Sequence, residues 1–107
     1  MKTTSNLLRR MKRKAQASHC RTKIVAVGFD QRGKMIGITH NKPYIYKKGG
    51  GWHAEELLIR KSPPKLLSRI IIARVSPNTG ELRPIEPCHK CKSLAAKYNI
   101  KIESYEQ

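Results

Sequence analysis

The sequence predicts a single α/β domain in which helices pack on a mixed sheet, and three observations carry that prediction. The 107 residues leave room for one core and no second lobe. Segments with helical apolar spacing and β-branched runs alternate in the order helix, strand, strand, helix, strand, helix, strand. Residues 69–73, Arg-Ile-Ile-Ile-Ala, form an apolar run of the kind a buried central strand requires.

The elements follow in chain order. In residues 3–17, Leu7, Leu8, Met11 and Ala15 recur at helical spacing, with Arg9, Arg10, Lys12, Arg13 and Lys14 largely on the other faces. This basic helix, within residues 1–20, belongs to the one domain that spans 1–107. Its cations read equally as a phosphate-contacting face or as the solvated side of a helix packed on the sheet. Residues 22–29 read as a strand, Asp30-Gln31-Arg32-Gly33 as a turn, and 34–39 as the returning strand of a hairpin. A polar loop is expected over 40–51, and its Gly49-Gly50-Gly51 is either a plain flexible connection or a lid. Residues 52–61 read as a helix stopped by Ser62-Pro63-Pro64, and 66–75 contain the buried strand. A turn at 76–80, a helix over 87–98 and a last strand over 100–105 complete the chain. No repeat, linker or low-complexity tract interrupts it.

Charge is the most unusual bulk property. There are 23 Lys and Arg against 7 Asp and Glu, a formal net charge of +16. Residues 1–48 hold 13 of the cations and only Asp30 as an acid. A polyanion would feel that half strongly, so nucleic acid or nucleotides are the expected partners; solubility or docking to another phosphate-rich surface is the alternative. The N-terminus lacks the apolar stretch of a signal peptide, and no segment approaches the roughly 20 apolar residues of a membrane span. An intracellular protein with no membrane partner is expected, cytoplasmic or nuclear. Three cysteines, two of them in a Cys-x-x-Cys, suit metal binding in a reducing compartment better than disulfides.

Two short motifs carry the chemistry: His53-Ala54-Glu55 at the start of one helix, and Pro87-Cys88-His89-Lys90-Cys91 at the start of another. Cysteines three apart present both sulfurs on one helix face, Pro87 suits helix entry, and a helix N-terminus stabilises thiolates. His53 adds a neutral imidazole. Two thiolates and one imidazole suit zinc rather than magnesium or calcium. Three protein ligands leave the fourth position for a water that zinc acidifies, and Glu55 is placed to move its proton. Glu56 is expected on the helix surface. The competing reading is a structural zinc, completed by His89, His40, His19 or Cys20. His89, between the cysteines, is expected off the metal face.

Together these motifs resemble the zinc signature of the cytidine and deoxycytidylate deaminase superfamily. Thr39-His40-Asn41-Lys42-Pro43 is similar to the Asn-bearing loop that precedes the His-Ala-Glu helix there, including the Asn-x-Pro of tRNA adenosine deaminases. The resemblance implies a three-layer α-β-α fold with a mixed four- to five-stranded sheet over nearly the whole chain. It implies zinc on His53, Cys88 and Cys91, Glu55 as the proton shuttle, Asn41 on the sugar or base, and backbone groups around Ala54 and Pro87 at the base edge. Read alone, Asn41 is a turn residue. The chain stops soon after the strand that follows the cysteine helix, short of the C-terminal strand and helices of many members. Either the fold is minimal, or a second copy covers an exposed sheet edge and the chain forms a homo-oligomer.

The implied reaction is hydrolytic replacement of an exocyclic amine by oxygen, cytosine becoming uracil. Trp52, Tyr44 and Tyr46 lie in sequence beside the motif, interleaved with Lys42, Lys47 and Lys48, as in grooves that stack bases and follow phosphates. Trp52 and Tyr44 are therefore candidate substrate contacts, although Trp52 equally suits plain packing. Arg9, Arg10, Lys12 and Arg13 join Lys42, Lys47 and Lys48 as candidate nucleic-acid contacts. Cytosine in single-stranded DNA or RNA is the leading expectation, then a free cytidine or deoxycytidine nucleotide, then adenine in tRNA. A non-catalytic, zinc-stabilised nucleic-acid-binding module stands against all three.

Overall fold

A computed structural model describes residues 5–20, 22–43, 51–62 and 66–106. Helix α1 spans Ser5–Gln16, strand β1 Ile24–Phe29 and strand β2 Met35–His40. The two-residue strands β3 (Lys42–Pro43) and β4 (Gly51–Trp52) precede helix α2 (Ala54–Lys61). Strands β5 (Arg69–Val75) and β6 (Leu82–Arg83), helix α3 (His89–Lys97) and strand β7 (Lys101–Ser104) follow.

The main sheet has five strands, ordered β2-β1-β5-β6, with β7 also on β5. β1 pairs antiparallel with β2 and with β5, while β7 pairs parallel with the first half of β5 and β6 antiparallel with its end. The sheet is therefore mixed, as expected. In the β1–β2 turn the Asp30 carboxylate accepts the N–H groups of Arg32 and Lys34, both at 2.9 Å, and Gly33 takes the positive φ of 83° that closes it.

Alternation divides the core into two. Val25, Val27, Phe29, Ile71, Ala73 and Val75 point to one face and pack against Met11 and Ala15 of α1. Ala26, Ile70 and Ile72 point to the other, against Ala54 and Leu58 of α2 and Ala95 of α3. The result is three layers, with α1 on one side and α2 and α3 on the other. The apolar stripe read on the first helix is the buried one: Met11 and Ala15 are sealed, and Leu7 and Leu8 pack beside them. Among the described residues no helix is long and apolar enough to cross a membrane.

Three details differ from the sequence reading. The expected loop over 40–51 is partly a ladder, with Lys42 opposite Trp52 and Pro43 opposite Gly51, so α2 begins at Ala54 rather than at residue 52. β6 was not expected at all. Both elements are two residues long, too short for any periodicity to register. Finally, α3 starts at His89, with Cys88 as its cap rather than inside it.

Gly28 marks a close approach between layers. A Cβ there would lie 2.5 Å from Leu67 Cδ1 and 3.0 Å from Leu58 Cδ2, both on buried leucines. Gly28→Ala is expected to lower stability by about 1–2 kcal/mol, since overpacking outweighs the lost glycine entropy. A fall in Tm of roughly 5–10 °C would register it in a thermal melt.

Candidate metal centre and active site

The site grows from two helix starts on the same face of the sheet. α2 lies over β1 and β2, and α3 lies beside it over β7. The start of α2 is pinned to the sheet: the Thr39 hydroxyl donates to the Ala54 carbonyl at 2.6 Å, in a buried setting. His53 stands at the N-cap with extended backbone and makes no side-chain capping bond, so its ring is not committed to the helix end. Cys88 occupies the N-cap of α3, where its sulfur accepts the Cys91 N–H at 3.4 Å. That arrangement stacks the two sulfurs at the positive end of the helix dipole.

Nδ1 of His53 lies 3.4 Å from Cys88 Sγ and 3.5 Å from Cys91 Sγ, and the three donor atoms all fall within 4.8 Å of one another. A tetrahedral ion with metal–sulfur and metal–nitrogen bonds of about 2.3 and 2.1 Å sets such nitrogen and sulfur donors about 3.6 Å apart. The observed spacing fits, and the group could hold a metal ion. Among the described residues no other His, Cys, Asp or Glu joins it. His89 is exposed, as expected from its position between the cysteines.

Electrostatics around the ligands are set by burial. Cys91 is 1% exposed, and its thiol is held far above the usual cysteine range, first by desolvation, then by the charge of Glu55, with Cys88 and Glu56 adding to it. Burial outweighs helix-end stabilisation there, so binding of a metal ion by this thiol would have to displace its proton. The same interaction locates Glu55: its carboxylate, 3% exposed in the first turn of α2, is close enough to act on the Cys91 sulfur.

Glu56 corrects the sequence reading. Instead of lying on the surface it is 1% exposed, with Lys90 Nζ at 3.4 Å and Arg60 at 3.5 Å, while its other oxygen has no hydrogen-bond partner. Packing of α3 against α2 covers it, and Lys90 then bridges the two helices whose starts bring the candidate metal ligands together.

The remaining candidates are distributed. Asn41 anchors the sheet end: its amide oxygen accepts from Ser18 Oγ at 2.7 Å and the Ile24 N–H at 3.0 Å, and its nitrogen donates to the Thr22 carbonyl at 2.7 Å. Pro87 is half-buried just before Cys88. Lys42 is exposed on β3, and Trp52 closes the same short ladder through its backbone. Tyr44, Lys47 and Lys48 lie outside the described residues. Arg9, Arg10 and Arg13 are exposed on α1, and Lys12 pairs with Glu81 at 2.9 Å. All four sit on the layer opposite the candidate metal ligands, which one-dimensional charge counting could not reveal. A cavity of about 390 Å³ lined by Ile59, Leu67, Leu94, Tyr98 and Ile100 lies at the far ends of α2 and α3, away from the ligands.

No protein-family model matches this chain, and no curated protein sequence matches it. Solved structures do. A mutant cytidine deaminase from Mycobacterium tuberculosis aligns with a TM-score of 0.63 at 15% identity, covering 95% of this chain and 86% of that one. Cytidine deaminases from Burkholderia pseudomallei (TM-score 0.61, 18% identity, 92% and 78% covered) and Mycobacterium leprae (0.63, 17%, 91% and 83%) align similarly. The chain has the cytidine deaminase fold. Its three layers and mixed five-stranded sheet are those of that fold, and His53, Cys88 and Cys91 converge within it at the adjoining starts of α2 and α3.

Proposed function

We propose that this chain is a zinc-dependent hydrolytic deaminase that converts cytosine to uracil. The observation that carries the reading is the three-ligand group, with the buried Glu55 carboxylate beside it, inside the cytidine deaminase fold. His53, Cys88 and Cys91 would hold zinc, which when bound supplies the Lewis acidity that makes water nucleophilic near neutral pH.

Glu55 is the proton carrier. Its carboxylate takes one proton from the attacking water and delivers it to the ring nitrogen beside C4, then takes the second from the oxygen added at C4 and delivers it to the departing amine. Oxygen adds at C4, the C4–N bond breaks, and cytosine plus water become uracil plus ammonia. Burial keeps bulk water from competing for that proton. Thr39 and Glu56 act as positioning residues: Thr39 fixes the start of α2, and Glu56 with Lys90 ties α2 to α3.

The substrate we favour is cytosine in single-stranded DNA or RNA, supported by the net charge of +16 and its concentration in residues 1–48. The solved neighbours are named cytidine deaminases, which favours a free cytidine compound as the second reading. Incubation of the zinc-loaded protein with single-stranded DNA, RNA, dCMP, CMP and deoxycytidine, with uracil product and ammonia measured, tests both. Product from the polymers, falling steeply as salt rises, is the expected result. No product from any of the five would defeat the deaminase reading.

A further inference from the structure

Arg74 of β5 and Arg83 of β6 stand directly opposite each other in the antiparallel register. Their neighbours Val75 and Leu82 are sealed in the core beneath α1, so alternation turns both arginines to the other face, the one that carries α2, α3 and the metal ligands. Both are half-buried. Like charges facing each other across a strand pair are destabilising. Nothing among the described ion pairs relieves them: Glu81 is held by Lys12, Glu103 by Arg69 and Lys101, and Glu56 by Arg60 and Lys90. Glu86, in the segment that follows Arg83, is exposed. Two guanidinium groups on facing residues supply many planar donors, which suit an anion, and phosphate best.

Their place in the sheet says whose phosphate it is. Arg74 is opposite Ile24 on β1, and the β1–β2 register, continued by one residue, sets Asn41 opposite Ile24. The Asn41 N–H donates to the Ile24 carbonyl at 3.1 Å, as that register demands. Arg83, Arg74, Ile24 and Asn41 thus form one row across four chain segments, about 14 Å at about 4.8 Å per step. Thr39, which holds Ala54 and hence the His53 end of α2, is one step further along the same face from Asn41. The start of α2, next to His53, is thus tied to the sheet one step from the Asn41 end of this row, and the arginines lie at its β6 end. From Arg83 the chain runs through the short segment 84–87 to Cys88.

We propose that Arg74 and Arg83 bind a phosphate of the substrate, so that the site takes a phosphorylated cytosine compound rather than a free nucleoside. The phosphate is either that of a free nucleotide or that of the nucleotide unit in a single strand. The binding stands on the arginine pair alone; its catalytic consequence rests on the deaminase reading.

The test compares wild type with Arg83→Gln and Arg74→Gln, and with Arg32→Gln as a charge control in the turn at the other end of the sheet. Thermal melts in phosphate-free buffer come first: removing one arginine relieves the repulsion, so neither variant should melt below wild type. Added inorganic phosphate should raise the Tm of wild type and Arg32→Gln but not that of Arg83→Gln or Arg74→Gln. Calorimetry on zinc-loaded protein carrying Glu55→Gln, which keeps the metal but does not turn the ligand over, should then show dCMP binding at least about tenfold tighter than deoxycytidine, a margin that collapses when either arginine is also replaced. An oligonucleotide bearing one cytosine distinguishes the sources, binding tighter than dCMP if the phosphate belongs to a strand and no tighter if it belongs to a free nucleotide. Equal binding of dCMP and deoxycytidine with both arginines present, or a margin that survives replacement of either, overturns the proposal. Because binding is read without turnover, binding of dCMP through the arginines with no uracil formed by wild type would defeat the deaminase reading alone. Turnover of deoxycytidine and dCMP with equal affinity would defeat the arginine site alone.

Discussion

Glu55→Gln is expected to cut the rate of uracil formation by roughly 10²–10⁴-fold, the range that a positioned proton carrier contributes. The amide has the shape of the carboxylate but cannot take a proton from water at neutral pH. Because Glu55 is not among the three donor atoms of the metal group, the variant should retain one zinc per chain, measurable by atomic absorption or a chromogenic chelator. The pairing of lost turnover with retained metal is the informative result. A non-catalytic nucleic-acid-binding module, the strongest competitor, would lose neither metal nor function. Loss of both metal and activity would mean instead that Glu55 supports the ligands, and its role as proton carrier would fall. A secondary effect is expected at Cys91: with one negative neighbour removed, its thiol should lose its proton more easily, so metal uptake should not weaken.

How much of this was legible in the sequence depends on the range of the interactions involved. His53, Cys88 and Cys91 are legible because metal donors are chemically distinctive and two of them lie within one helical turn; the structure adds only that Cys88 caps the helix. The long strands are legible because Ile70, Ile71 and Ile72 exceed what an exposed segment would carry. Glu56 is not, since its burial depends on α3 docking against α2 from a distant part of the chain, and a glutamate beside Glu55 in a polar stretch carries no sign of it. The pairing of Arg74 with Arg83 is hidden for the same reason, although a trace exists: Arg74 sits at the position where the alternation of Ile70 and Ile72 calls for another apolar residue. The basic helix shows the opposite failure. Its cations are obvious in the sequence, but the sheet stands between them and the candidate metal ligands, so a strand reaching both must pass around the sheet.

Cys91→Ala is expected to remove the metal altogether. Of the three candidate ligands Cys91 is the deepest, 1% exposed in the first turn of α3, with its sulfur 3.5 Å from His53 Nδ1. Two remaining donors hold an ion weakly and in no fixed geometry, so zinc content should fall from one per chain to near zero after dialysis. Alanine is the informative choice because it leaves a small apolar gap, whereas serine would bury an unpartnered hydroxyl and confuse metal loss with misfolding. Stability carries the same signal independently of activity. Zinc at a thousandfold excess over its Kd should stabilise wild type by about 4 kcal/mol, raising its Tm, while the variant should melt at one temperature with or without zinc. Cys20→Ser supplies the control: that cysteine stands apart from the metal group, half-buried beside Ser18, and the variant should keep full zinc and the full metal-dependent rise in Tm. If Cys91→Ala retained one zinc per chain, the ion would have to lie elsewhere, and with it the assignment of Glu55 as its neighbour would be lost. If it lost zinc but still released ammonia from cytosine at the wild-type rate, the group would be structural, and the catalytic reading of all four residues would have to be abandoned together.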